Sequence, residues 1–247
     1  SVIGVTGIPE VSRGDDLAPM IFDAAQAQGT PIEADDVVVV TQKIVSKAEG
    51  AVIDLREVEP SPLAEEFARQ FDKDPRLVEV VLRETRRIVR MDRGILIVET
   101  KHGFICANAG VDASNVPGDD NVSLLPRDPD GSARRLREGL MERTGFPVAV
   151  IISDTFGRPW RMGSTDVALG VAGMNPLNDY RGQVDPYGYL LKVSVAAIAD
   201  QIASAAELVA GKVSLVPVAI ARGCHYLPDE EATARPLLRD ASLDLFR

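Results

Sequence analysis

Four apolar runs rich in β-branched residues set the strongest constraint on how this chain can fold: DVVVVTQKI (36–44), GILIVETK (94–101), VAVIISDT (148–155) and SLVPVAIARG (214–223). Each is bounded by charged or turn residues, and their near-continuous apolar character is that of strands covered on both faces. Segments of helical periodicity alternate with them. Residues 15–29 open on an aspartate and close on a glycine, 61–74 and 74–91 carry apolar residues every three or four positions, and 130–145 and 193–211 repeat the pattern. The alternation predicts a mixed α and β protein without a clean domain boundary.

At 247 residues the chain can bury a sizeable core, as one large domain or two interleaved ones. Its 37 acidic and 27 basic side chains leave a net charge of −10, which repels a phosphate backbone and argues against a nucleic-acid partner. No apolar run approaches the roughly 18 residues needed to span a bilayer, and the N-terminus lacks a signal-peptide pattern. A cytoplasmic protein with no membrane partner is expected. Cys106 and Cys224 are too isolated for a disulfide framework or a CxxC zinc site, and His102 and His225 lack HExxH spacing. Neither GxxxxGK[ST] nor GxGxxG follows a strand, so any phosphate site is built without the usual glycine loops.

Polar clusters sit where the apolar segments end, which is where α/β scaffolds place their chemistry. GIPEVSRGDD begins with a Gly7-Ile8-Pro9 turn. In TQKIVSKAEG, Lys43 and Lys47 follow the strand Val37 to Val40, and their ammonium groups suit phosphates, although surface lysines also cap strands. NAGVDASN, Asn108 to Asn115, offers Asp112 and amides on a chain of small residues, or an ordinary turn. In IISDTFGRPWRMG the strand is expected to end at Asp154, where a carboxylate and the Thr155 hydroxyl offer hard oxygen ligands for Mg²⁺ or Mn²⁺, or a helix cap. Two acids, paired lysines and the arginines Arg158 and Arg161 together make the parts of a metal-assisted phosphoryl-transfer site. A metal-dependent phosphohydrolase and a non-catalytic phosphometabolite-binding module remain open on the same parts.

In this order the clusters resemble the coenzyme F420-0:L-glutamate ligases, the γ-glutamyl ligases of the deazaflavin coenzyme. The resemblance runs through GIPEVSRGDD, VVVVTQKIVSKAEG, NAGVDASNV, LLPRDPDGSA, DTFGRPWRMG, DPYGYLLKVSVAAIADQIASAAELVAGK and PVAIARG. It implies an α+β fold of mixed sheets with flanking helices, built as an intertwined homodimer. One catalytic domain over 1–247 is expected, without the nitroreductase-like C-terminal domain of several bacterial relatives.

The implied activity is GTP-dependent addition of L-glutamate to the deazaflavin precursor through an acyl phosphate, with GTP as co-substrate, two divalent ions (Mg²⁺ or Mn²⁺) and K⁺. By the resemblance, Asp112 and Asp154 ligate one metal and Thr155 a second; Asp112, Asp154 and Lys47 form the catalytic set. The nucleotide falls to Ile8, Pro9, Glu10, Val11, Gln42, Lys43, Lys47, Asn115 and the loop opening on Ala210, Gly211 and Lys212. Arg158 and Arg161 are assigned the substrate's phosphodiester or carboxylates through bidentate contacts, with surface salt bridges as the alternative. Lys212 stands where archaeal members place a glutamate that helps hold the second metal.

Overall fold

The computed structural model describes residues 1–244; the last three residues of the expected 1–247 domain lie outside them. The chain opens with β1 (Val2–Val5), α1 (Leu17–Ala27), β2 (Val37–Thr41) and α2 (Gln42–Glu49). A smaller module follows, built from β3 (Val52–Asp54), α3 (Pro62–Phe71), α4 (Pro75–Glu84), β4 (Thr85–Asp92), β5 (Ile95–Thr100), β6 (Ile105–Ala107) and β7 (Asn121–Ser123). The chain then completes the larger body with α5 (Pro129–Thr144), β8 (Ala149–Gly157), β9 (Ser164–Ala172), β10 (Asn178–Asp179), β11 (Val195–Ala196), α6 (Ile198–Ala210) and β12 (Val218–Ala221). The expected α+β class with mixed sheets and flanking helices is what forms.

Five strands make the main sheet in the order β1-β12-β2-β8-β9; β2 and β8 run parallel and every other neighbouring pair antiparallel. The four-valine run is apolar at every position because both faces of β2 are covered. Val38 and Val40 pack with Val150, Ile152, Ile21 and Leu140 on the side of α1 and α5. Val37 and Val39 pack with Ile151, Ala203 and Ala206 on the side of α6. Truncating a fully buried residue here, such as Ile152→Ala, is expected to cost about 2–5 kcal/mol. The smaller module carries its own clusters, one joining Phe67, Val78, Val81, Leu96 and Val98, the other Leu55, Val58, Val80 and Val122.

Helix starts follow capping chemistry. Asp16, Ser61, Asp74 and Asp128 each accept a backbone N–H in the first turn of α1, α3, α4 and α5, and the last three helices place Pro62, Pro75 and Pro129 at their beginnings.

Several expected boundaries move. The helix read over 74–91 stops at Glu84, and Thr85–Asp92 becomes β4, paired antiparallel with β5. Its arginines flank Ile88 and Val89 on a largely exposed strand, and Arg86 and Arg87 both reach Glu99 on β5. The strand expected to end at Asp154 continues to Gly157, because β9 pairs with it as far as Ser164; what changes at Asp154 is burial. The run after Val40 turns directly into α2, so Lys43 and Lys47 are helical. The long helix expected over 193–211 begins only at Ile198, and its small residues Ala199, Ala203, Ala206 and Ala210 are buried within this chain, so they offer no dimer surface. Among the described residues no helix is long and apolar enough to cross a membrane.

Candidate active site

The parallel pairing of β2 with β8 places Thr41 beside Ser153, so α2 starts at the end of the sheet where the Ser153-Asp154-Thr155 stretch of β8 runs on past β2. Across from them the 107–117 segment of the smaller module closes a cavity of about 760 Å³. Ile8, Pro9, Glu10, Val11, Lys43, Lys47, Asp112, Asn115, Asp154, Thr155, Gly211 and Lys212 all line it. Most residues singled out in the sequence are thereby brought to one place from five separate stretches of chain.

Lys43 bridges the two sides. Its ammonium group donates to Asp112 Oδ2 at 2.5 Å and to the Ser114 carbonyl and hydroxyl at 2.8 and 3.0 Å. Burial pushes the Asp112 carboxyl up, but hydrogen bonds from Lys43 and Ser114 outweigh it and hold the group below the ordinary carboxylate range. Lys47, one helical turn further, donates to Glu10 Oε1 at 2.5 Å. Asp112 is held by backbone bonds to Ser123, and the chain reaches it through Asn108 and Ala109, both at positive φ, and Gly110 at φ +70°. A Cβ on Gly110 would meet Leu125 at 2.8 Å, so the close approach of the 107–117 segment requires glycine there.

Asp154 has the opposite electrostatics. Burial pushes its carboxyl up to about 6, and the neighbouring charges of Asp166 and Asp112 add to this, against the Thr155 backbone N–H and Lys43. A carboxylate raised in this way lacks positive charge, which a hard divalent cation shared with Asp112 would supply. Among the described residues no three His, Cys, Asp or Glu side chains converge as a closed metal cage. An ion held by Asp112 and Asp154 would therefore complete its shell from ligand oxygens and water, the usual arrangement for Mg²⁺ at phosphates.

Thr155 fits a second ion poorly. Its hydroxyl donates to Asp166 Oδ1 at 2.6 Å and accepts from the Lys212 ammonium group. Asp166, directly opposite Thr155 on β9, also accepts from the Ser153 hydroxyl at 3.1 Å, while its own backbone N–H donates to Glu207 Oε2 at 3.0 Å. Neither Asp166 nor Glu207 was singled out from the sequence. The available signals were an acid inside the apolar STDVALG strand and a lone acid near the end of a small-residue helix.

Other expected contacts fall elsewhere. Gln42 is buried, accepts the Ser46 hydroxyl and does not line the cavity; its Nε2 has no partner among the described residues. Ala210 is buried, and the cavity wall starts at Gly211. Arg158 and Arg161 occupy the exposed tip of the β8–β9 hairpin, outside the cavity lining, and Arg158 donates to the Met162 and Gly163 carbonyls. Cys106 is a buried thiol, pushed up to about 12 by burial with the Asp154 charge adding.

A family model described as F420-0:gamma-glutamyl ligase matches residues 6–223. Among similar curated proteins, the coenzyme F420:L-glutamate ligase of Methanothermobacter thermautotrophicus is 47% identical over 100% of this chain and 98% of its own length. The enzyme of the same name from Methanopyrus kandleri is 47% identical over 96% of this chain and 94% of its own. That of Methanocaldococcus jannaschii is 43% identical over 88% and 86%.

Proposed function

Because the chain belongs to the F420-0:gamma-glutamyl ligase family, we propose that it acts as one catalytic domain, a GTP-dependent ligase joining L-glutamate to the deazaflavin coenzyme precursor. The observation that carries this reading is a single cavity lined by the acids Asp112, Asp154 and Asp166 and by the amines Lys43, Lys47 and Lys212. Acids that can hold a cation beside amines that can hold phosphate are what phosphoryl transfer from a nucleotide needs.

In the proposed reaction the γ-phosphate of GTP passes to the terminal carboxylate of the deazaflavin substrate, giving an acyl phosphate and GDP. The amine of glutamate attacks the acyl carbon, the amide C–N bond forms, and inorganic phosphate leaves with the electron pair of the broken C–O bond while the amine loses a proton. A Mg²⁺ or Mn²⁺ ion bound at Asp112 and Asp154 would neutralise phosphate charge. Lys43 holds Asp112 ionised and oriented, and Lys47 and Lys212 offer their charge to phosphate oxygens. The Ile8–Val11 segment and Asn115 wall the nucleotide end. Potassium enters this proposal through the family resemblance alone.

The homodimer belongs to the same proposal. Its support is the segment between β10 and β11, where Tyr187, Tyr189 and Val193 are 95%, 63% and 86% exposed and the two-residue strands that close it have little to stabilise them alone.

Mass spectrometry of a mixture of deazaflavin precursor, glutamate, GTP and Mn²⁺ tests the function. A product heavier by one glutamyl residue, formed together with GDP and only when glutamate is present, is expected. GTP turnover independent of glutamate would instead make the protein a phosphohydrolase, and no turnover at all a binding module.

A further inference from the structure

The Thr155 end of the cavity already contains a cation. Gly211, with φ 62° and ψ −177°, breaks the chain away from the end of α6 and sends Lys212 back toward β8. Those angles fall in a region that essentially only glycine adopts without strain, so the turn is specific to glycine. The Lys212 ammonium group donates to the Thr155 hydroxyl and lies 3.6 Å from Glu207 Oε1. Glu207 in turn accepts the Asp166 backbone N–H, and Asp166 takes the hydroxyl hydrogen of Thr155. Lys43 therefore pairs with Asp112 and acts on Asp154, while Lys212 pairs with Glu207 and reaches Asp166 through the Thr155 hydroxyl. The negative end of α6 adds to the field holding Lys212.

We propose that Lys212 serves as a built-in cation at the Thr155 and Glu207 end of the cleft, so that this chain binds one divalent ion per site, at Asp112 and Asp154. The inference rests on the metal–nucleotide reading above and departs from the two-ion expectation. A divalent ion placed on Thr155 would displace or oppose the ammonium group that already occupies that hydroxyl, whereas at the other end Lys43 hydrogen-bonds Asp112 and leaves the Asp154 carboxylate without an ammonium donor among the described residues. A lysine at this position also contributes one positive charge where a metal would bring two. The Thr155 end therefore acts on phosphate by charge and hydrogen bonding, without Lewis-acid coordination.

The test is a titration of the full chain with Mn²⁺ in the presence of saturating GDP, with free Mn²⁺ followed by electron paramagnetic resonance. The wild type is expected to bind one ion per chain. Lys212→Glu, which places a carboxylate among Thr155, Asp166 and Glu207, is expected to bind two, and Lys212→Arg one, each with a wild-type circular dichroism spectrum. The Mn²⁺ dependence of turnover should correspondingly steepen from first order toward second order in Lys212→Glu. Two ions of comparable affinity in the wild type, or no second ion in a folded Lys212→Glu, would overturn the inference and leave the metal–nucleotide reading standing. No Mn²⁺ binding to the wild type at millimolar concentration would overturn both.

Discussion

The ammonium group of Lys43 lies 2.5 Å from the carboxylate of Asp112 and ties α2 of the main body to the small-residue segment of the inserted module. The same contact spans the cavity, so the lysine both organises the acid and closes one wall. The residues around it make separable predictions.

Lys47→Ala should weaken GDP binding by about 10- to 100-fold, the scale of one charge-assisted hydrogen bond. Its partner Glu10 is largely exposed, so the loss of folding stability should stay below about 1 kcal/mol. Calorimetric titration and a thermal melt of the same sample measure both quantities.

Asp154→Asn should abolish ligation yet raise the melting temperature of the metal-free protein. With its carboxyl pushed up to about 6, the folded chain holds a proton that the unfolded chain releases near 3.8, so stability falls as pH rises through that interval. The amide removes this penalty, worth about 1–3 kcal/mol at pH 7, or a few degrees. Metal binding has the opposite sign: Mn²⁺ affinity should rise about tenfold per pH unit toward 6 and level off above it. A flat profile between pH 5 and 7 would contradict this assignment.

Asp166→Asn puts an amide that can donate where two hydroxyls, Ser153 and Thr155, now donate. With those hydroxyls turned, turnover should fall about 10- to 100-fold, as for other supporting partners of a site. Glutamate replacing the aspartate should recover part of it. Steady-state kinetics on folded variants gives the answer.

Arg161→Lys should raise the Michaelis constant for the deazaflavin several-fold and leave that for GTP unchanged. Lysine keeps the charge and loses the planar fork. Since the hairpin tip lies outside the cavity lining, the acceptor must extend from the cavity to reach it. Two unchanged constants would remove the tip from both sites.

Light scattering at micromolar concentration should give the mass of a dimer, and Tyr187→Asp with Val193→Asp should reduce it to that of one chain. A monomeric wild type would leave the exposed arm without the role proposed for it.

The buried strands β2 and β8 were legible because covering both faces of a strand leaves an unbroken apolar run. The lysine pair, Asp112 and Asp154 were legible because each stands where such a run or a small-residue loop turns polar. Thr85–Asp92 was misread because Thr85, Ile88 and Val89 fit helical spacing as well as a strand, and only cross-strand pairing to Glu99 separates the two. Asp166 and Glu207 were missed for a different reason. Asp166 is a lone acid in β9 and Glu207 one of two acids in α6, and their meaning appears only when β9 lies against β8 and α6 packs on both.

The position of β12 between β1 and β2 also governs when the cleft can come into being. On the ribosome β1 emerges before β2, yet it has no neighbour in the main sheet until residues 218–221 are made. Until then the edge of β1 stays open, exposed to wrong pairing, and the cleft walls stay unassembled. Activity should therefore appear only once β12 has been made, with that strand as the closing step.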